Sequence, residues 1–227
     1  MTLLDLSAAF DTVDHDILLK RLSTTFGINS VALWWFQSYL ADRTQSVYLG
    51  SDSTSPRPVT CGVPQGSVMD PILFSLYTAD IGKLITSFSL QHHCYADDTQ
   101  LCGSGRPDDR PALKARTLQC ICAIAEWMAS NRLKLNPIKT EFMWGCTSRR
   151  LCHVDDFVFN LQERPVSTST SVRHLGAFFD QALLLTDHVN RLRAVMLLPT
   201  PSNQISSTSI ADSGCNSTCE QLYYITS

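Results

Sequence analysis

Two strand-like runs meet at Tyr95-Ala96-Asp97-Asp98. Leu90-Gln91-His92-His93-Cys94-Tyr95-Ala96 leads in and Thr99-Gln100-Leu101-Cys102 leads out, so the pattern predicts two short strands with the acid pair at or near their turn. Carboxylates are depleted in strands and rarely buried unless paired or metal-bound. Asp5 stands in a similar setting after Thr2-Leu3-Leu4, again without a basic neighbour. Two like charges about 4 Å apart repel by roughly 4 kcal/mol at an effective dielectric of 20, which a bound divalent cation would relieve. Asp also makes ordinary turns, so the dipeptide alone leaves turn and metal site both open.

Helix and strand signals alternate along the chain. Asp14 is positioned to cap a helix through Leu22 that stops at Gly27, and Ser30 to cap a second helix. That second segment, with Val31, Leu33, Trp34, Trp35, Phe36, Tyr39 and Leu40, is apolar nearly all round and reads as buried. Strands are expected over 45–49, 58–61, 140–144, 157–160 and 174–179, and helices over 67–84 and 111–132. Strands that look antiparallel between helices make the expected fold class α+β.

The 44% apolar and 17% charged composition suits an ordinary globular chain, and 227 residues suffice for a sizeable core. The N-terminus lacks signal-peptide character and no apolar run is long enough to span a bilayer, so an intracellular location is expected, nuclear or cytoplasmic undecided. Nine cysteines without framework spacing read as free thiols, and Cys120-Ile121-Cys122 and Cys215-x3-Cys219 lack the second pair a zinc site needs. With 18 basic against 21 acidic residues, net charge gives no electrostatic case for nucleic-acid binding. From Pro199 to Ser227 there are eleven Ser or Thr and no Lys or Arg, so 196–227 reads as a disordered tail.

Four segments follow in order: Leu4-Asp5-Leu6-Ser7-Ala8-Ala9-Phe10-Asp11, Gly62-Val63-Pro64-Gln65-Gly66-Ser67, Tyr95-Ala96-Asp97-Asp98 and Asn136-Pro137-Ile138-Lys139-Thr140-Glu141. Together they resemble the palm motifs of reverse transcriptases of non-LTR (LINE-type) retrotransposons, and Arg173-His174-Leu175-Gly176 resembles that family's primer grip. The resemblance covers about residues 2–195. It implies a partial polymerase palm over 1–195, with an antiparallel sheet, helices on one face, and fingers and thumb largely absent. It implies RNA-directed DNA polymerase activity on an RNA template, a DNA primer and dNTPs, with two Mg2+ ions held by Asp5 and Asp97, assisted by Asp98. Lys139 would act on the pyrophosphate leaving group, Phe10 would sit beneath the sugar as a steric gate, and Gln65 and Gly66 would contact nucleotide and template. Asp11 is expected to have a structural hydrogen-bonding role. Met69-Asp70 departs from the family, which has an apolar residue followed by glycine there; Asp70 would bring negative charge toward the template or point into solvent. A palm without its clamp is expected to be slow, and the alternative is a truncated retrotransposon remnant without catalysis, at most a nucleic-acid or protein binding module.

Overall fold

A computed structural model of the chain describes residues 1–147, 157–196 and 223–226. Its main sheet has the order β5-β6-β1-β7, from β1 (Thr2–Leu4), β5 (Gln91–Tyr95), β6 (Asp98–Cys102) and β7 (Glu141–Phe142), every pair antiparallel. Strand alternation gives this sheet two unlike faces. Leu4, Leu101 and Phe142 point into the main core, which includes residues of α3 (Asp70–Thr78), α4 (Ile81–Ser87) and α5 (Arg110–Ser130). On the opposite face Leu3 and Met143 meet Val172 and Phe179 of a hairpin formed by β10 (Ser171–His174) and β11 (Ala177–Asp180). The fold is thus α+β, with helices packed on one face of the sheet and a hairpin on the other.

Around this sheet stand α1 (His15–Thr24), α2 (Ser30–Leu40), a β2-centred sheet (Thr44–Leu49, with β3 Asp52–Ser53 and β4 Arg57–Pro58), and the hairpin β8 (Val158–Leu161) with β9 (Arg164–Ser167). Helix α6 (Thr186–Met196) follows the second hairpin. Asp14 caps α1 as expected, its carboxylate accepting from the Ile17 amide at 3.0 Å. No helix among the described residues is long and apolar enough to cross a membrane.

Several sequence expectations are corrected. Ser30 does not cap α2: it is the first helical residue, with φ +54°. The cap position is Asn29, whose side chain instead serves the end of α1, donating to the Gly27 carbonyl and accepting from the Ser23 hydroxyl. Nor is α2 buried. Leu40 is the only buried residue in it, while Val31 is 78% and Trp34 68% exposed. An all-round apolar helix reports that a surface favours cover, not that its own chain supplies the cover. The helix expected over 67–84 is two helices broken at Ala79-Asp80, where Asp80 pairs with Arg21 and Lys83. The strand expected over 174–179 is a hairpin turning at Leu175-Gly176, both with positive φ, a turn Gly176 adopts without strain.

Of the expected disordered tail, 197–222 and 227 lie outside the described residues, together with Cys215, Cys219 and the expectation placed on them. Tyr223–Thr226, β-branched and aromatic in character, forms β12 antiparallel to β2.

A polar knot joins three helices beneath the sheet. The buried Tyr77 hydroxyl donates to the Asn131 carbonyl at 2.6 Å, and Arg21 donates to the Asn131 side-chain oxygen at 2.8 Å. The Arg21 guanidinium also lies over the rings of Tyr77 and Trp127. Removing one partner of a buried hydrogen bond strands the other, so Tyr77→Phe is expected to cost about 1–3 kcal/mol in urea unfolding. An unchanged midpoint would show that the Asn131 carbonyl finds another donor.

The start of α6 depends on one carboxylate. Asp180 accepts from the amides of Leu184 at 3.0 Å and Thr186 at 2.9 Å, and this holds its carboxyl below the usual range. A depressed folded pKa means stabilisation that is present above the ordinary carboxylate value and lost as pH falls through the folded one. The Leu184 and Thr186 amides are therefore expected to lose exchange protection on acidification below that ordinary value, and at neutral pH in Asp180→Ala.

Candidate active site

The register of β1 on β6 places Thr2 against Leu101, Leu3 against Gln100 and Leu4 against Thr99. One more step sets Asp5 beside Asp98. Asp98 opens β6 opposite Tyr95, which leaves Ala96 and Asp97 as a two-residue hairpin turn, with Ala96 at φ +52°. Asp98 is therefore on a strand and Asp97 at the tip of the turn, so the two point differently, as adjacent residues must.

Lys139 reaches the same place from far along the chain. Residues 134–136 run antiparallel beside residues 5–7, just past β1: the Ser7 amide donates to the Lys134 carbonyl and the Asn136 amide to the Asp5 carbonyl. The Asn136 side-chain oxygen then accepts from the amides of Ile138 at 3.0 Å and Lys139 at 3.4 Å, closing an Asx turn. That turn carries the Lys139 ammonium back to Asp5, 3.4 and 3.5 Å from its two carboxylate oxygens. The Lys139 side chain is largely exposed, so the pair is weak.

Asp5, Asp98 and Lys139 line a cavity of about 70 Å³ with Thr99, Glu141, Arg173 and His174. Burial pushes the Asp5 carboxyl above its usual range; Lys139 opposes this, and the negative charges of Asp97 and Asp98 add to it. Glu141 is also pushed up by burial, while the Arg173 amide favours its charged form. Arg173 and His174 are brought here by the packing of Val172 and Phe179 on Leu3. Glu141 opens β7 opposite Leu3, which puts it on the sheet face that Leu3 occupies.

The carboxylates of Asp5, Asp98 and Glu141 offer oxygen donors suited to a hard divalent cation, and Asp5 Oδ1 is buried without a hydrogen-bond partner among the described residues, the Lys139 ammonium lying 3.4 Å away. The donor chemistry fits such an ion. The three carboxylates do not converge: among the described residues no group of three acidic, imidazole or thiol side chains shares one coordination point.

The glycine loop docks just beyond Asp5. The Gly62 amide donates to the Val13 carbonyl at 2.7 Å, the Val63 amide to the Phe10 carbonyl at 2.9 Å, and the His15 ring contacts the Gly62 carbonyl at 2.7 Å. Phe10 begins a short 3-10 turn and packs on Phe74, ring centroids 5.0 Å apart. Gln65 is exposed and lines a groove of about 570 Å³ with Asp11, Arg43, Gln45, Cys61 and Gly62. Asp11 serves through its backbone, on which Gly62 packs, and its side chain faces this groove. Phe10 and Gly66 do not line it. Arg43 and Gln45 were not legible as site residues, because the turns that bring β2 to the glycine loop leave no local spacing signal.

The chain is 29% identical over 192 residues to the probable RNA-directed DNA polymerase from transposon BS of Drosophila melanogaster, covering 82% of this chain and 20% of that protein. It is 24% identical over 195 residues to the RNA-directed DNA polymerase from mobile element jockey of the same species, covering 84% and 20%. Over 146 residues it is 25% identical to the Pol polyprotein from type-1 retrotransposable element R2 of Popillia japonica, covering 60% and 23%. The chain thus spans about a fifth of the length of these relatives. The sequence model of the reverse transcriptase (RNA-dependent DNA polymerase) family matches residues 1–179, and the chain belongs to that family, among relatives from non-LTR retrotransposons.

Proposed function

We propose that this chain is the palm part of an RNA-directed DNA polymerase, extending a primer 3′-hydroxyl with dNTPs on an RNA template. The observation that supports it most is the cavity that Asp5, one residue past β1, shares with Asp98 at the start of β6, with Lys139 reaching Asp5 from 134 residues away. A fold that spends long-range contacts on gathering two carboxylates and an ammonium, in a chain of this family, is best explained by phosphoryl transfer.

Asp5, Asp97 and Asp98 would hold two Mg2+ ions. Bound there, such ions would stabilise the attacking and leaving oxygens of an in-line displacement. The 3′-hydroxyl oxygen forms a bond to the α-phosphorus and gives its proton to solvent water; the α–β phosphoanhydride bond breaks and pyrophosphate leaves. Lys139, released from Asp5, protonates or neutralises that leaving group. Phe10, fixed against Phe74, forms the floor beneath the sugar, while Gln65 and the Gly66 backbone contact the nucleotide and template. Arg173 and His174 border the cavity on the side where the primer end would enter.

The test is primer extension with the purified 227-residue chain, an RNA template, dNTPs and Mg2+. Extension that requires Mg2+ supports the reading. No extension, even with the N-terminal neighbouring segment of a relative supplied in trans, would favour the remnant without catalysis.

A further inference from the structure

One face of the β2–β4 pair borders the groove beside Gln65. In its register Gln45 stands opposite Arg57, and the Val59 amide donates to the Arg43 carbonyl at 2.8 Å, which sets Arg43 opposite Val59. Residues opposite one another in an antiparallel pair share a face, as do residues two apart along one strand. Arg43, Gln45 and Arg57 are therefore on one face, the two arginines being diagonal neighbours roughly 7–8 Å apart. Arg43, Gln45 and Val59 line the groove with Gln65, and Arg57 is exposed opposite Gln45.

Arg43 is held in place before any ligand arrives. Trp35 and Tyr39 stack with ring centroids 5.4 Å apart and planes 9° apart, and the Arg43 guanidinium lies over the Tyr39 ring, 5.7 Å from its centroid. The Tyr39 hydroxyl donates to the Ser67 hydroxyl at 3.0 Å, which ties this ladder to the end of the glycine loop. Among the described residues neither Arg43 nor Arg57 has a carboxylate partner. Asp11 lines the same groove without pairing with Arg43, and Asp70, which opens α3 behind the loop, is buried. A half-buried guanidinium fixed on an aromatic ring, with no carboxylate of its own, keeps its planar fork of donors for an anion from outside.

The anion is not the reacting triphosphate. That group would lie at the Asp5 cavity, which shares no lining residue with this groove. Two arginines spread along a strand pair suit the repeating phosphates of a nucleic-acid strand. We propose that Arg43 and Arg57 hold phosphates of a single-stranded RNA template, laying its backbone along the β2–β4 face so that its bases pass Gln65. This rests on the polymerase reading above for the RNA's role as template, but not for the phosphate contacts. The net charge of −3 does not oppose it, because salt screens distant charges beyond roughly 8–10 Å and leaves the two local cations to act.

Binding of a fluorescently labelled single-stranded RNA to the full chain, followed by anisotropy over a salt series, reads these contacts directly. Each phosphate contact on a single strand adds about 0.7 to the slope of log affinity against log salt. Arg43→Gln is expected to flatten the slope by about that amount and to weaken binding about fivefold or more at low salt. Arg57→Gln should flatten it likewise, and it carries the same test if Arg43→Gln fails to fold. Arg43→Lys keeps the charge and should keep the slope. Arg164→Gln, which removes an exposed arginine of the β8–β9 hairpin, should leave the slope unmoved. A parent chain that does not bind the RNA, or a slope unchanged in folded Arg43→Gln, overturns the proposal. Equal flattening in Arg164→Gln also overturns it, since binding would then be spread over the whole surface. If Arg43→Gln keeps the RNA slope but loses affinity for dNTP alone, the guanidinium belongs to the nucleotide and the strand assignment falls. A chain that binds RNA through Arg43 yet extends no primer loses the polymerase reading and keeps this one. A chain that extends primers with its slope indifferent to Arg43 does the reverse.

Discussion

Asp5→Asn should abolish Mg2+-dependent primer extension, by at least about a thousandfold, and leave the fold as stable as before or more so. The two halves of this expectation come from the same geometry. Burial disfavours the Asp5 carboxylate, and the neighbouring Asp97 and Asp98 charges disfavour it further, with Lys139 compensating only in part. A carboxyl whose folded pKa is raised is worse off charged in the folded chain than in the unfolded one. Its contribution to stability thus improves as pH falls through the folded pKa, and at neutral pH it is a net cost. Asparagine removes the cost and leaves behind Lys139, which is exposed enough to be solvated. The parent chain should therefore gain stability on mild acidification, and the variant should gain less. Thermal unfolding in the presence and absence of millimolar Mg2+ separates the roles: the cation should raise the parent's midpoint and leave that of Asp5→Asn unmoved. Asp97→Ala should lose extension equally. Residual activity within about tenfold of the parent in either variant would remove that residue from the metal set. A variant that unfolds would contradict the placement of Asp5 as a strained rather than a supporting group.

How far the sequence reveals this site depends on the range over which each contact is made. The acid hairpin was legible because its strands and turn are contiguous, although Ala96 with positive φ occupies a position where glycine or asparagine is the usual signal. Lys139 was legible through resemblance; the mechanism of its return, an Asx turn at Asn136 on a segment paired with residues 5–7, needed the three-dimensional register. The face that Asp5 shares with Glu141, and the packing that brings Arg173 beside it, are products of Leu3, Met143 and Val172 meeting across almost the whole matched region. No window of sequence contains all three. The exposure of α2 was misread for the opposite reason. Its local pattern is strongly apolar, and a periodicity argument has no information about whether a partner element exists to cover it. The solvent-facing alternative for Asp70 was a misreading: the residue opens α3 and is buried, and a lone acid at a helix start carries no local signal of what packs over it.

Gly62→Ala should be the most damaging substitution in the glycine loop, at about 2–4 kcal/mol of folding stability. Gly62 has φ +89°, a conformation costing an L-residue roughly 1–2 kcal/mol. A β-carbon there would also lie 3.0 Å from the Asp11 carbonyl oxygen and 3.1 Å from the Asp11 α-carbon. Those atoms are backbone, within a turn already fixed by the Gly62 amide on Val13 and the Val63 amide on Phe10, so no flexible side chain can make room. Relief would come only by pushing the Phe10–Asp11 turn away from the loop. Because that turn follows Asp5 directly, extension should fall along with stability, and Phe10 should lose its packing on Phe74. Gly66→Ala supplies the control. Gly66 also has positive φ, +85°, but a β-carbon there meets nothing within 4 Å, so only the conformational cost applies. Urea unfolding of the two variants should therefore differ by about 1–2 kcal/mol, with Gly62→Ala the less stable. Equal midpoints would mean that the loop is not pressed against Asp11, and the glycine at 62 would then be required for its backbone angle alone.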